Sequence, residues 1–214
     1  MNDKVSIHGI ILSALPAGEA DRKLVILSGE MGRVTAFARG ARRPNSPLVA
    51  ARPYTYGEYS IYRTRNYNVL DGMEGARFFD GLTRDFDTSC LAGYFAEFAD
   101  YYAREGLEAK DEVRLLYAAL SAVSKGVIPQ TLIRRVFELR LMAINGEYSQ
   151  QPFAPCAQAA SYAWSYVLSS PVEKLFSFTL EENAASEFAA AVEKLRVHYI
   201  DRKFRSLELL DTGE

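Results

Sequence analysis

Seven arginines fall between positions 33 and 65: Arg33, Arg39, Arg42, Arg43, Arg52, Arg63 and Arg65. The same span holds no lysine and one acid, Glu58, so it carries +6, while the whole chain carries −2 and the remainder −8. A split of that kind points to one basic face on an otherwise acidic protein. Aromatic residues interleave with the arginines: Phe37, Tyr54, Tyr56, Tyr59, Tyr62 and Tyr67. Guanidinium groups neutralise phosphate and can pair with it through two parallel hydrogen bonds. A planar ring offers a base a surface to stack on. The chemistry on offer is non-covalent capture of nucleic acid, with the seven arginines, Tyr56 and Tyr59 as the candidate contacts. Inside the span, Ala38–Leu48 reads ARGARRPNSPL. Gly40 allows a turn, Pro44 and Pro47 stiffen it, and a stiff loop loses less entropy on meeting a phosphate backbone. The competing reading is a solvated basic rim. On a strand Tyr54–Thr64, one face holds Tyr54, Tyr56 and Tyr62 and the other Tyr59, Ile61 and Arg63, so about half of these tyrosines fill a core whatever the function.

Covalent chemistry finds no footing. The chain has no GxxxxGK[ST], no HExxH and no GxSxG. Its only histidines are His8 and His198. His198, among Arg196, Tyr199 and Arg202, reads as a surface or packing residue of a helix, and Glu181 and Glu182 as a solvated turn. No nucleophile, base and oxyanion site can be assembled, so neither an enzyme nor a cofactor is expected. Two cysteines, Cys90 and Cys156, are too few for a disulfide scaffold or a four-cysteine zinc site and read as reduced thiols. The N-terminal apolar run is too short for a signal peptide, and no run approaches the ~20 apolar residues of a membrane span, so a cytoplasmic protein is expected.

Such a basic segment needs a scaffold. A chain of 214 residues, 49% hydrophobic and 24% charged, suffices for one large or two small globular domains. The first 80 residues read as about five short strands: Val5–Ser13, Leu24–Ser28, Gly32–Arg39, Tyr56–Thr64 and Val69–Glu74. Five strands in that length suit a small barrel, which closes to remove its edges. An SH3-like barrel competes with an OB-fold. After Asp80 the apolar period becomes helical: Leu91, Phe95, Phe98 and Tyr102; Val113, Leu116, Leu120 and Val123; Leu132, Val136 and Leu139 after Pro129; Phe188, Val192, Leu195 and Tyr199. Four amphipathic helices predict a helical domain, and 150–160 reads as irregular. The fold expected is α+β: a barrel domain over 1–80, then an α-helical domain over 81–214.

Four ordered blocks carry a family resemblance. The run GEADRKLVIL (Gly18–Leu27) followed by GRVTAFARGARRPNS (Gly32–Ser46) resembles the N-terminal barrel of the RecO family of recombination mediators. FELRLMAING (Phe137–Gly146) resembles its central helix, and YVLSSPVEKLFSF (Tyr166–Phe178) and YIDRKFRSLELL (Tyr199–Leu210) its C-terminal helices. The similarity runs in the family's order from about residue 5 to 210. It implies an OB-fold followed by a helical domain, a role in recombinational repair, binding of single- and double-stranded DNA through the barrel, and annealing of complementary strands. It also implies RecR as a partner in loading RecA onto DNA covered by single-strand-binding protein, whose acidic C-terminal tail would meet cations of the helical domain. Arg134, Arg135, Arg140, Arg196, Arg202, Lys203 and Arg205 are available for that contact, with ion pairs to Glu138 or Glu193 as the competing role. The chain departs from the family twice. Asn45 and Pro47 stand where further basic residues are common. A four-cysteine zinc module common after the central helix is missing near 156–160, where Cys156 stands alone, so no zinc is expected. The alternatives to a DNA mediator are an OB-fold protein-interaction module with no direct nucleic-acid role and an RNA-binding OB-fold.

Overall fold

Alternating burial along the first five segments makes each a two-faced strand. In the structure, a computed structural model that describes residues 3–211, these are β1 (Asp3–Ala17), β2 (Asp21–Ser28), β3 (Gly32–Ala38), β4 (Tyr56–Arg63) and β5 (Asn68–Arg77). In β3, Val34, Ala36 and Ala38 are buried while Arg33, Thr35 and Phe37 face outward. The strands close in the order β1-β2-β3-β5-β4, antiparallel throughout except for β3 against β5. This five-stranded Greek-key closure is that of an OB-fold, which decides against the SH3-like alternative. The long β1 serves two partners, β4 along Asp3–Ile10 and β2 along Gly9–Ala17, with an irregularity between Ile11 and Ser13. It outlasts the strand expected from its β-branched run because its pairing with β2 continues through Pro16 to Ala17. The seam between β3 and β5 is short: only Ala36 with Asn68 and Phe37 with Val69, reinforced by Asn68 Nδ2 donating to the Thr35 carbonyl at 2.9 Å. Ile7, Ile11, Leu24, Ile26, Tyr59 and Leu70 fill the interior.

The helices are α1 (Phe86–Tyr102), α2 (Lys110–Lys125), α3 (Gln130–Ile144), α4 (Gln158–Ser169), α5 (Glu182–Tyr199) and α6 (Arg205–Asp211). Pro129 caps α3 from just outside its first turn. Helices α4 and α6 add to the four read from periodicity. Contacts divide the chain into two compact units. The first comprises the residues up to Phe79 with Ala96–Val113; the second comprises Asp80–Phe95 and the chain from Arg114 onward. The division therefore falls within α1 and again within α2. In the second unit α3, α4 and α5 pack on one another around Phe137, Trp164, Phe188 and Leu195, all buried.

In the first unit, the loop after α1 is bonded to the β2–β3 turn. The Arg33 N–H donates to the Arg104 carbonyl at 3.0 Å, the Gly106 N–H to Met31 at 2.9 Å and the Ala109 N–H to Gly29 at 3.1 Å. Gly32 makes this approach possible. A Cβ there would lie 2.1 Å from the Arg104 oxygen and 2.3 Å from that of Leu107, and its φ of +64° is itself disfavoured for other residues.

Candidate nucleic-acid interface

The ARGARRPNSPL stretch begins the loop joining β3 to β4. It is tied down by neighbours whose role the sequence did not reveal. Gly40 takes φ +65°, and its N–H donates to Asp21 Oδ1 at 2.8 Å. The Arg42 N–H donates to the Ala20 carbonyl at 2.9 Å, and Arg42 Nη1 to the Gly18 carbonyl at 3.1 Å. Farther along, Arg22 Nη1 donates to the carbonyls of Val49 (3.1 Å) and Ala51 (2.9 Å). The basic turn is thus fastened to the β1–β2 turn on one side and to β2 on the other. Arg39, Arg42 and Arg43 are exposed.

The β4–β5 turn meets this loop. Arg39 Nη2 donates to the Tyr67 hydroxyl at 2.9 Å, with its guanidinium 5.9 Å from the ring centre. The Tyr67 ring stands edge-on to Phe37, at 6.0 Å and 88°. Arg63 and Arg65, both exposed, flank the turn. No carboxylate lies within 4 Å of the guanidinium of Arg39, Arg42, Arg43, Arg63 or Arg65 among the described residues. Positive charge is therefore left uncompensated at the loop end of the barrel, around an exposed ring.

Three residues expected at this surface are placed elsewhere. Tyr59 is wholly buried inside the barrel, its hydroxyl donating to the Thr55 carbonyl at 2.6 Å. Burial, with a smaller contribution from Tyr56, pushes its phenol well above the ordinary range. This corrects the sequence reading: Tyr59 is core and offers no face for stacking. Arg33 pairs with Asp100 at 2.7 Å and donates to Thr35 Oγ1 at 3.0 Å. The end of α1 thereby holds the Arg33 side chain. Arg52 lies over the Phe78 ring at 4.5 Å, away from the turn. Tyr56 is half-buried, opposite Ile10 and Arg77. Phe37 and Tyr67 were visible in the sequence as members of the interleaved aromatic set. Outward parity on β3 marks Phe37, but the turn that presents Tyr67 depends on Thr64, which accepts the Tyr67 N–H at 3.1 Å and donates to its carbonyl at 2.6 Å.

Residues 1–79 match the family model described as Recombination protein O N terminal. The DNA repair protein RecO of Desulforudis audaxviator is 27% identical, over 95% of this chain and 94% of its own. That of Acetivibrio thermocellus is 23% identical over 95% of each. That of Alkaliphilus metalliredigens is 29% identical over 76% of this chain and 67% of its own. The chain is similar to RecO proteins along nearly its whole length. The first two alignments span 239 and 238 positions against 214 residues here, so those RecO proteins carry internal residues that this chain lacks.

Most of the helical cations expected to meet an acidic partner are engaged internally. Glu138, at 0% exposure, accepts from Arg134 Nε at 3.0 Å, Arg135 Nη1 at 2.7 Å and the Tyr94 hydroxyl at 2.6 Å. Glu193 accepts from Arg135 at 2.5 Å and pairs with Arg196. Burial pushes the Glu193 carboxyl up, but the Arg196 hydrogen bond and the charge and hydrogen bond of Arg135 outweigh it and hold the group at about 2. Arg140 Nη1 donates to the Val167 and Leu168 carbonyls near the end of α4. Arg202 lies over Phe204, and Lys203 is exposed with Glu208 at 3.9 Å. Cys156 Sγ sits 3.3 Å from Ser161 Oγ, and Cys90 is buried in α1. Two cysteines cannot form a four-thiolate zinc site, and no group of three or more His, Cys, Asp or Glu is placed to hold a metal among the described residues. No helix among the described residues is long and apolar enough to cross a membrane.

Proposed function

We infer that this chain is a DNA repair protein that works by binding DNA at the loop end of its barrel. One observation carries the reading: Arg39 holds the Tyr67 hydroxyl, Arg63 and Arg65 flank the Tyr67 turn, Arg42 and Arg43 lie on the adjoining loop, and none of the five has a carboxylate within ion-pair reach among the described residues, whereas Arg134, Arg135 and Arg196 of the helical unit are held by Glu138 and Glu193. Uncompensated charge on a pre-shaped loop suits a phosphate backbone, and phosphate contacts hold a strand without reading its sequence. The reading includes annealing of complementary strands and, with RecR, loading of RecA onto DNA coated by single-strand-binding protein. Those roles rest on the RecO resemblance. For the acidic tail of the coating protein, the cations outside the Glu138–Glu193 network are Arg140, Arg202, Lys203 and Arg205.

The test is a salt series of fluorescence anisotropy on two unrelated labelled single strands. With about four to six phosphates neutralised, log K against log salt slopes by roughly −3 to −4. Replacing Arg42 and Arg43 together with alanine removes about two contacts and flattens the slope by roughly 1.4 for both sequences. An unchanged slope in a folded double variant would mean a solvated turn, and no binding at all would leave the barrel as a protein-interaction module. Competition with RNA of the same length decides between the two nucleic acids.

A further inference from the structure

We propose that Tyr67 is a stacking site for one unpaired nucleobase, which makes the barrel select single strands over duplex. The proposal rests on the DNA-binding reading and deepens it. Tyr67 is 42% exposed although three side chains and a turn fix it. Phe37 meets it edge-to-face, Arg39 holds its hydroxyl, and Thr64 bonds both its N–H and its carbonyl. A ring so fastened loses little freedom when something lies on it. The edge-to-face contact with Phe37 and the Arg39 bond hold the ring in place.

The surroundings state the ligand's chemistry. Arg39, Arg63 and Arg65 supply positive charge beside the ring, and on β2, Lys23 stands opposite Phe37 in the strand register. A flat, uncharged π-face ringed by cations fits a base whose phosphates lie to either side. Farther along the same face of β3, Arg33 is paired with Asp100 and its charge is already met. In a duplex the base faces are stacked on one another and cannot reach the ring. Only an unpaired or flipped base can.

The test uses the full chain and three probes of equal length: oligo(dT), an abasic oligonucleotide with the same phosphates, and a duplex. The wild type binds oligo(dT) about 5- to 150-fold more tightly than the abasic strand. Tyr67→Ala removes that preference, weakens oligo(dT) binding far more than abasic or duplex binding, and keeps the salt slope. Tyr67→Phe retains the preference, because it keeps the ring. Equal wild-type affinity for oligo(dT) and the abasic strand overturns the proposal without any variant. So does a Tyr67→Ala variant that keeps its preference, or one that weakens on all three probes alike, which would make Tyr67 merely a prop for Arg39. A wild type that binds none of the probes refutes the DNA reading as well, an outcome distinct from strong binding without preference for bases.

Discussion

Glu138 is the residue whose loss should hurt the helical unit most. Its carboxylate has no exposure and receives three donors: Arg134 at 3.0 Å, Arg135 at 2.7 Å and the Tyr94 hydroxyl at 2.6 Å. The Arg134 and Arg135 side chains are themselves only 14% and 15% exposed. Glu138→Ala would strand both guanidinium groups and one buried hydroxyl. Glu193 can absorb part of that charge, since Arg135 already touches it at 2.5 Å and Arg134 reaches it at 3.9 Å. Removing one partner from a buried ionic cluster costs about 3–5 kcal/mol. With a urea slope of about 2 kcal/mol/M, the unfolding midpoint should fall by roughly 1.5–2.5 M. Trp164 is the sole tryptophan and is fully buried in this unit, its indole N–H donating to the Ser149 carbonyl at 2.9 Å, so its emission reports this unit's unfolding. Glu138→Gln, which keeps an acceptor and the shape, should lose less. A loss below about 1 kcal/mol for the alanine variant would refute the argument. It would mean that the arginines reach water or Glu193 without penalty.

Acid should act on the same network. Glu193 is held at about 2, below its ordinary 4.5, so its stabilisation is complete above about pH 4.5 and is lost as pH falls through about 2. Urea midpoints read by Trp164 should decline over that window, and Glu193→Gln should flatten the decline; a flat wild-type profile would contradict it. Gly32→Ala puts a methyl 2.1 Å from the Arg104 oxygen, so the 104–107 loop must shift. A melting curve of the first unit, followed by far-ultraviolet circular dichroism, should show a loss well above the ~0.5 kcal/mol of an ordinary surface change. Elemental analysis of the purified protein should find no stoichiometric zinc, and about one zinc per chain would require ligands other than four thiolates.

The parts of the fold that local pattern controls were legible. The alternation in β3 identified its inner and outer faces, and the helical spacing of α1, α2, α3 and α5 marked those helices. Helix α4 was hidden by Pro152, Pro155 and the small residues before it, although Ala160, Ala163, Trp164 and Val167 recur at helical spacing. The interface was legible only as a composition. Tyrosines lie on both faces of β4, so alternation alone could not tell Tyr56 from Tyr59. The pairing of Ile7 with Tyr59, two residues that both point inward, settles it. Arg33 looked like its neighbours because its partner, Asp100, is 67 residues away on another element. The fastening of the basic loop by Asp21 and Arg22 depends likewise on strand pairing. The intrahelical spacing of Arg134 and Arg135 to Glu138 was readable, whereas the convergence of Glu193 on the same cluster required α3 and α5 to pack.

The two-residue seam between β3 and β5 gives the barrel a weak stave. Opening there sacrifices two ladder pairs and the Asn68 bond, whereas parting β1 from β4 would break a register of eight pairs. Spontaneous gaping of the first unit should therefore begin at the seam, with the amides around Ala36–Phe37 and Asn68–Val69 trading hydrogen with water sooner than those of β1. Phe37 stands on one lip and Tyr67 at the other. Any strand lying across those rings would bridge the gap from outside like a clamp on a cooper's hoop, drawing tight the joint that the backbone alone leaves slack.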